Sequence, residues 1–174
     1  LLQGGSYAYR YRLIAVVSLF ALLFASHITA TPTQAKYIGC NVASLPGYHL
    51  IVDDSYPIMY SGRWSVATSN TSSYQDTLHT AREAGAKASF HFTGHAVSIG
   101  FTAYQVYGLM RVVIDGVDMG TIDQYVSGDR EYYSTAGFCG LSSGWHDVDL
   151  IMTGQKNPKS KGVDVNFDYF HYVD

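Results

Sequence analysis

The sequence predicts an all-β protein, an antiparallel β-sandwich, on three observations. Short apolar stretches recur through the last hundred residues with no amphipathic helix between them. Several of these stretches alternate with period two, which sends successive side chains to opposite faces of a sheet. Residues 109–119 (LMRVVIDGVDM) set two apolar runs around Asp115-Gly116. That pair suits a two-residue type I′ hairpin, because both turn residues need φ > 0.

The elements follow in order. Residues 48–52 are a first strand, ended by Asp53-Asp54-Ser55, and 58–60 a short second one. Residues 65–76 (SVATSNTSSYQD) are polar and turn-rich and read as a loop, with a glycosylation sequon at Asn70-Thr71-Ser72. A short strand is expected at 77–80. In 86–92, Ala86, Ala88, Phe90 and Phe92 face one way and Lys87, Ser89 and His91 the other. Thr93-Gly94-His95 reads as a turn into a strand over 96–101. Residues 102–108 (TAYQVYG) form a loop, followed by the Asp115-Gly116 hairpin and strands near 119–123 and 131–134. In 145–152, His146, Val148, Leu150 and Met152 share the inward face. A basic turn over 154–162 leads to a last strand over 163–173. The expected core is Phe90, Phe92, Val97, Ile99, Val112, Ile114, Val148, Leu150, Val165, Phe167 and Phe170, packed between two sheets.

Composition narrows the function. Of 174 residues only 14% are charged and the net charge is −3. Soluble domains carry roughly 25% charged residues, and no basic stripe offers a nucleic-acid footprint. Tyr (15) and Gly (17) are abundant, which suits strands, tight turns and polar-aromatic surfaces. Arg10 and Arg12 precede an apolar run over 13–25 (LIAVVSLFALLFA), then small residues. This is the pattern of a secretory signal peptide; an uncleaved signal anchor is the alternative, although the run is short for a span of roughly 20 residues. Residues 1–35 are therefore read as signal and leader, 36–47 as a linker and 48–174 as the domain. The chain begins with Leu1 rather than Met, as a piece of a longer protein would.

Cys40 and Cys139 are an even pair and, in an oxidising compartment, a candidate disulfide; two unpaired thiols are the alternative. Residues 140–144 (GLSSG) match G-x-S-x-G, but a nucleophile elbow needs a helix after the serine. A period-two strand follows here, so an ordinary hairpin turn is the better reading. The seven histidines lack metal-site spacing. Asp53 and Asp168 lie in or beside the first and last strands, which often neighbour each other in a sandwich; two carboxylates there would suit a structural calcium ion, which takes six to eight oxygens. Trp64, Tyr74, Tyr125 and Trp145 lie in or border predicted loops and could stack on a sugar, but core packing is the better reading for Trp64 and Trp145. Tyr104 and Tyr107, in a glycine-ended loop, read as exposed platforms whose flat faces suit the C–H face of a sugar.

Over about residues 52–173 the chain resembles the galactose-binding-domain-like β-sandwiches of secreted bacterial and fungal proteins. The resemblance rests on Asp53-Asp54, on 60–64 (YSGRW) and 77–79 (TLH), and on 85–94 (GAKASFHFTG). Residues 113–116 (VIDG), 140–146 (GLSSGWH) and 163–170 (VDVNFDYF) complete it. It implies a jelly-roll sandwich. It also implies a place among carbohydrate-binding modules, or among stand-alone secreted or membrane-tethered domains. A structural calcium in some similar modules implies Asp53 and Asp168 as its ligands.

The expected function is secreted, extracellular, non-catalytic carbohydrate binding. Tyr104 and Tyr107 would stack on a glycan or polysaccharide, and Tyr74 and His79 would supply polar contacts. The alternatives are an adhesive or structural surface domain binding protein partners and, further off, a glycosidase or esterase. A glycosidase would need two carboxyls about 5 to 10 Å apart across a cleft.

Overall fold

The computed structural model describes residues 39–55, 57–69 and 72–174; residues 1–35, Asn70 and Thr71 lie outside the described residues, so the signal segment and the sequon do too. Ten strands form two antiparallel sheets: β1 (Tyr48–Val52), β2 (Met59–Ser61), β3 (Trp64–Ala67), β4 (Leu78–Ala81), β5 (Lys87–Ala103), β6 (Leu109–Ile114), β7 (Val117–Asp123), β8 (Tyr132–Met152), β9 (Val165–Phe167) and β10 (Tyr169–Val173). The large sheet runs β1-β10-β5-β8-β6-β7, with β2 also pairing to β5; the small sheet runs β3-β4-β9.

All eleven expected core residues are buried in one apolar cluster between the sheets. Phe90 lies over Phe170, with ring centroids 3.8 Å apart, and near Phe167 at 5.9 Å. The Asp115-Gly116 turn closes β6 on β7 with φ of 52° and 75°, the left-handed geometry that its sequence demands.

Three expectations are corrected. First, Thr93-Gly94-His95 and residues 140–144 do not end strands. Gly94 pairs with Gly144 and Ala96 with Cys139, so one intervening residue on β5 stands against four on β8. Residues 140–143 therefore bulge out while β5 and β8 run on. Glycine-rich composition serves a bulge as well as a turn, so local sequence could not separate them. Across this bulge the core parity of β5 switches from Ala88, Phe90 and Phe92 to Val97, Ile99 and Phe101.

Second, β3 occupies the start of the expected 65–76 loop. Its side chains are mostly exposed, and it pairs only to β4. An edge strand with a polar face lacks the apolar alternation that marks a strand. Third, the last strand is split at Asp168. The Asp168 N–H donates to Gly100 O at 3.0 Å and its carbonyl accepts from Asp53 N at 2.8 Å, which passes the chain from the small sheet to the large one.

Within the expected 36–47 linker, the described residues from Gly39 onward pack against the large sheet. Gly39 N–H donates to Gly137 O at 3.1 Å, a disulfide joins Cys40 to Cys139, and Val42 is buried with Ala96 and Val173. A Cβ on Gly137 would collide with the Cys40 carbonyl, so glycine there admits the strap. The N-terminal strap thus covers part of the large sheet, around Ala96, Gly137 and Val173.

Candidate functional site

The motifs Asp53-Asp54, YSGRW and TLH converge on one buried knot. Asp53 Oδ1 accepts from Thr77 Oγ1–H at 2.7 Å, and its Oδ2 lies 2.8 Å from His79 Nδ1. The Asp53 carbonyl accepts from Tyr60 O–H at 2.6 Å. The Tyr60 ring stacks on His79 at 4.3 Å, with planes 5° apart, and Trp64 meets Tyr60 edge-on at 5.0 Å. Burial, then the charges of Asp53 and Asp54, push the Tyr60 hydroxyl far above its ordinary pKa. The knot ties the end of β1 to β2, β3 and β4, where the chain crosses from one sheet to the other. An open cleft of about 370 Å³ lies against Asp53, Asp54, Tyr60 and His79.

This geometry relocates the expected sugar-binding residues. His79 is only 8% exposed and holds Asp53. Tyr107 is 7% exposed; its hydroxyl donates to Glu131 Oε1 at 3.0 Å, so its ring is packing and not a platform. Burial, followed by the charge of Glu131, raises its pKa strongly. Tyr104 is half-buried, and its hydroxyl accepts from Gln105 Nε2 at 2.9 Å. Tyr74 is exposed and meets Tyr169 edge-on at 5.8 Å.

Asp53 and Asp168 are neighbours, as the first- and last-strand argument expects, but they do not fit calcium as arranged. Both oxygens of Asp53 are engaged by Thr77 and His79. Both oxygens of Asp168 lie 3.0 Å from the Tyr74 N–H. Hydrogen-bond donors stand where a cation would need further oxygens, and among the described residues no three His, Cys, Asp or Glu side chains converge to hold a metal. Burial raises the Asp168 pKa to about 7; the Tyr74 N–H lowers it and the Asp53 charge raises it further.

The large sheet also carries what sequence reasoning missed. Trp145 is 61% exposed. One face of its indole lies on His91, with centroids 4.2 Å apart and planes 27° apart, and its Nε1–H donates to Asp147 Oδ1 at 3.3 Å. The ring is therefore held in place with its other face toward solvent. Thr93 pairs with Trp145 and His91 with Asp147, so the stack is a diagonal cross-strand contact. Along the same face, Asp149 accepts from Ser89 Oγ at 2.7 Å and from Lys87 Nζ at 3.1 Å. Further along, Arg111, Thr121, Ile151 and Gln155 border a second open cleft of about 370 Å³. From Trp145 to Ile151 the strand advances about 20 Å. The alternation that points His146, Val148, Leu150 and Met152 inward points Trp145 and Asp147 outward. That was the available signal.

Behind this face, His146 is buried between two acceptors. Its Nδ1 lies 2.6 Å from Asp115 Oδ2 and its Nε2 2.7 Å from Ser142 O. Burial lowers its pKa, but the Asp115 and Ser142 hydrogen bonds, with the Asp115 charge, outweigh this and leave it raised.

No protein-family model matches the chain, and no curated protein sequence matches it. Solved structures are similar to it. A Paenibacillus xanthan lyase aligns with TM-score 0.56 and 17% identity, over 78% of this chain and 14% of that one. A family two carbohydrate esterase from Cellvibrio japonicus aligns with TM-score 0.53 and 17% identity, over 72% of this chain and 33% of that one. The CBM36-1 domain of a multidomain xylanase, from the hindgut metagenome of Trinervitermes trinervoides, aligns with TM-score 0.50 and 16% identity, over 72% of this chain and 95% of that domain. The chain thus spans about a third or less of the two enzymes and nearly all of the separate module. At such identity the likeness is one of fold: an antiparallel β-sandwich of the kind found in carbohydrate-active proteins.

Proposed function

We propose that this chain is a non-catalytic carbohydrate-binding domain of the galactose-binding-like type, acting outside the cell on a polysaccharide or cell-surface glycan. The observation that carries this reading is the Trp145 platform. A large flat ring is supported from behind by His91, fixed by Asp147 and open to solvent. An indole face takes the C–H face of a sugar ring, and the flanking carboxylates accept hydrogen bonds from its hydroxyls. The open face runs for about 20 Å along β8, which favours an extended chain over a single sugar. The fold likeness to a separate carbohydrate-binding module supports the same reading. No calcium is needed for it, because the platform uses only side chains of the sheet. The test is affinity electrophoresis of the oxidised protein through gels cast with different polysaccharides. Retardation by at least one of them, lost in Trp145→Ala, is expected; free migration through all of them by folded protein would contradict the reading.

A further inference from the structure

The charges around Trp145 are paired, with one exception. Asp149 lies 3.1 Å from Lys87 Nζ, and Arg111 Nη1 stands 3.9 Å from Asp118. Asp115, at the β6–β7 turn, lies 2.6 Å from His146 Nδ1. Asp147 is exposed and has no ion-pair partner among the described residues. Its cross-strand neighbour is His91, whose ring is stacked on the indole.

The backbone holds Asp147 in place. Its N–H donates to Asp115 Oδ1 and its carbonyl accepts from Asp115 N, each at 2.9 Å. The Trp145 Nε1–H donates to Asp147 Oδ1 at 3.3 Å, which sets this carboxylate at the rim of the exposed indole. A pyranose stacked by its C–H face directs its equatorial substituents sideways, past the edge of the aromatic ring. A cationic substituent there meets two attractions. The indole π system draws a nearby cation, and tryptophan does so best among the aromatic side chains. The Asp147 carboxylate adds an ion pair. At an exposed site each is worth a few-fold in affinity, and the two together about tenfold.

We propose that Trp145 and Asp147 together select an amino sugar, so that the platform prefers a glycan with free, protonated amines to its N-acetylated or neutral counterpart. This names the ligand class of the carbohydrate site proposed above and rests on that reading. The net charge of −3 favours the approach of such a polycation.

The experiment titrates the oxidised protein and its Asp147→Asn, Asp129→Asn and Trp145→Ala variants by calorimetry, below the pKa of the sugar amine. The ligands are three oligosaccharides of equal length and linkage that carry an amine, an acetamide or a hydroxyl at the 2-position. The parent is expected to bind the amine form about tenfold more tightly than the other two. Added salt should narrow that preference, because it screens exposed charges. Asp147→Asn keeps an oxygen for the indole N–H but loses the charge, and should cut the preference about threefold or more. Asp129→Asn removes the same charge from an exposed loop and should keep it. Equal binding of the three sugars overturns the selection and leaves the carbohydrate reading standing. So does a preference that Asp147→Asn retains, or one that Asp129→Asn loses equally. If none of the three binds, but another polysaccharide retards the parent and not Trp145→Ala, the selection again falls alone. If the amine form binds Trp145→Ala as tightly as the parent, or no glycan binds at all, both readings fall.

Discussion

His91 lies beneath Trp145 with ring centroids 4.2 Å apart, so one face of the indole is packed and the other is left to solvent. Because Trp145 contributes little to the core, Trp145→Ala should leave the melting temperature nearly unchanged. It should weaken polysaccharide binding by about thirtyfold or more, the ~2 kcal/mol of an aromatic hot spot. His91→Ala removes only the support and should cost about three- to tenfold, in line with ~0.5–1.5 kcal/mol for an aromatic pair. Calorimetric titration alongside thermal unfolding separates the two effects.

The Asp53 knot carries the opposite expectation. Asp53→Ala strands the His79 Nδ1–H and the Thr77 hydroxyl in a buried site, and each orphaned polar group costs about 1–3 kcal/mol. A loss of about 3 kcal/mol in denaturant unfolding is therefore expected. Since hydrogen bonds with Thr77, His79 and the Tyr74 N–H already engage the Asp53 and Asp168 carboxylates, a calcium chelator should leave the melting temperature where it is. A calcium-dependent rise would contradict this account of the pair.

Stability should fall as pH rises. A group whose pKa is higher in the folded chain binds more protons when folded, so its contribution is full below its unfolded pKa and is lost through its folded pKa. For Asp168 the window runs from its ordinary 3.8 to about 7. For His146 it runs upward from 6.5, because both ring nitrogens face acceptors and the imidazolium satisfies both. Melting temperatures between pH 4 and 9 should decline in two overlapping stages. Asp168→Asn should flatten the lower stage and His146→Gln the upper one.

The Cys40–Cys139 bridge closes a separation of 99 residues. The chain-entropy model values such a closure at up to about 4.7 kcal/mol. The doubly substituted Cys40→Ser/Cys139→Ser protein should unfold at lower denaturant by up to that amount. Its strap should show faster hydrogen exchange near Val42, while binding at Trp145 persists.

Period-two alternation was enough to find the core, and Asp115-Gly116 was enough to find the hairpin, because both are local consequences of backbone geometry. The platform was hidden by side-chain character: a tryptophan beside a buried histidine invites a core reading even where the alternation turns it outward. Tyr107 is buried for the converse reason. Its burial comes from Glu131 and from a bridge to Asp164, contacts far away in sequence. The Asp53 knot draws on β1, β2 and β4, so its motifs could be recognised in sequence before their joint role could be seen.

The most direct test of the central claim uses the fluorescence of a single tryptophan. Trp64 and Trp145 are the two tryptophans of the chain, so a Trp64→Phe variant leaves Trp145 as the reporter. Titration of that variant with a polysaccharide that retards the parent should give a saturable change in indole emission, with a midpoint matching the affinity measured by calorimetry. Binding of undiminished strength with no change in Trp145 emission would place the sugar elsewhere and contradict the account.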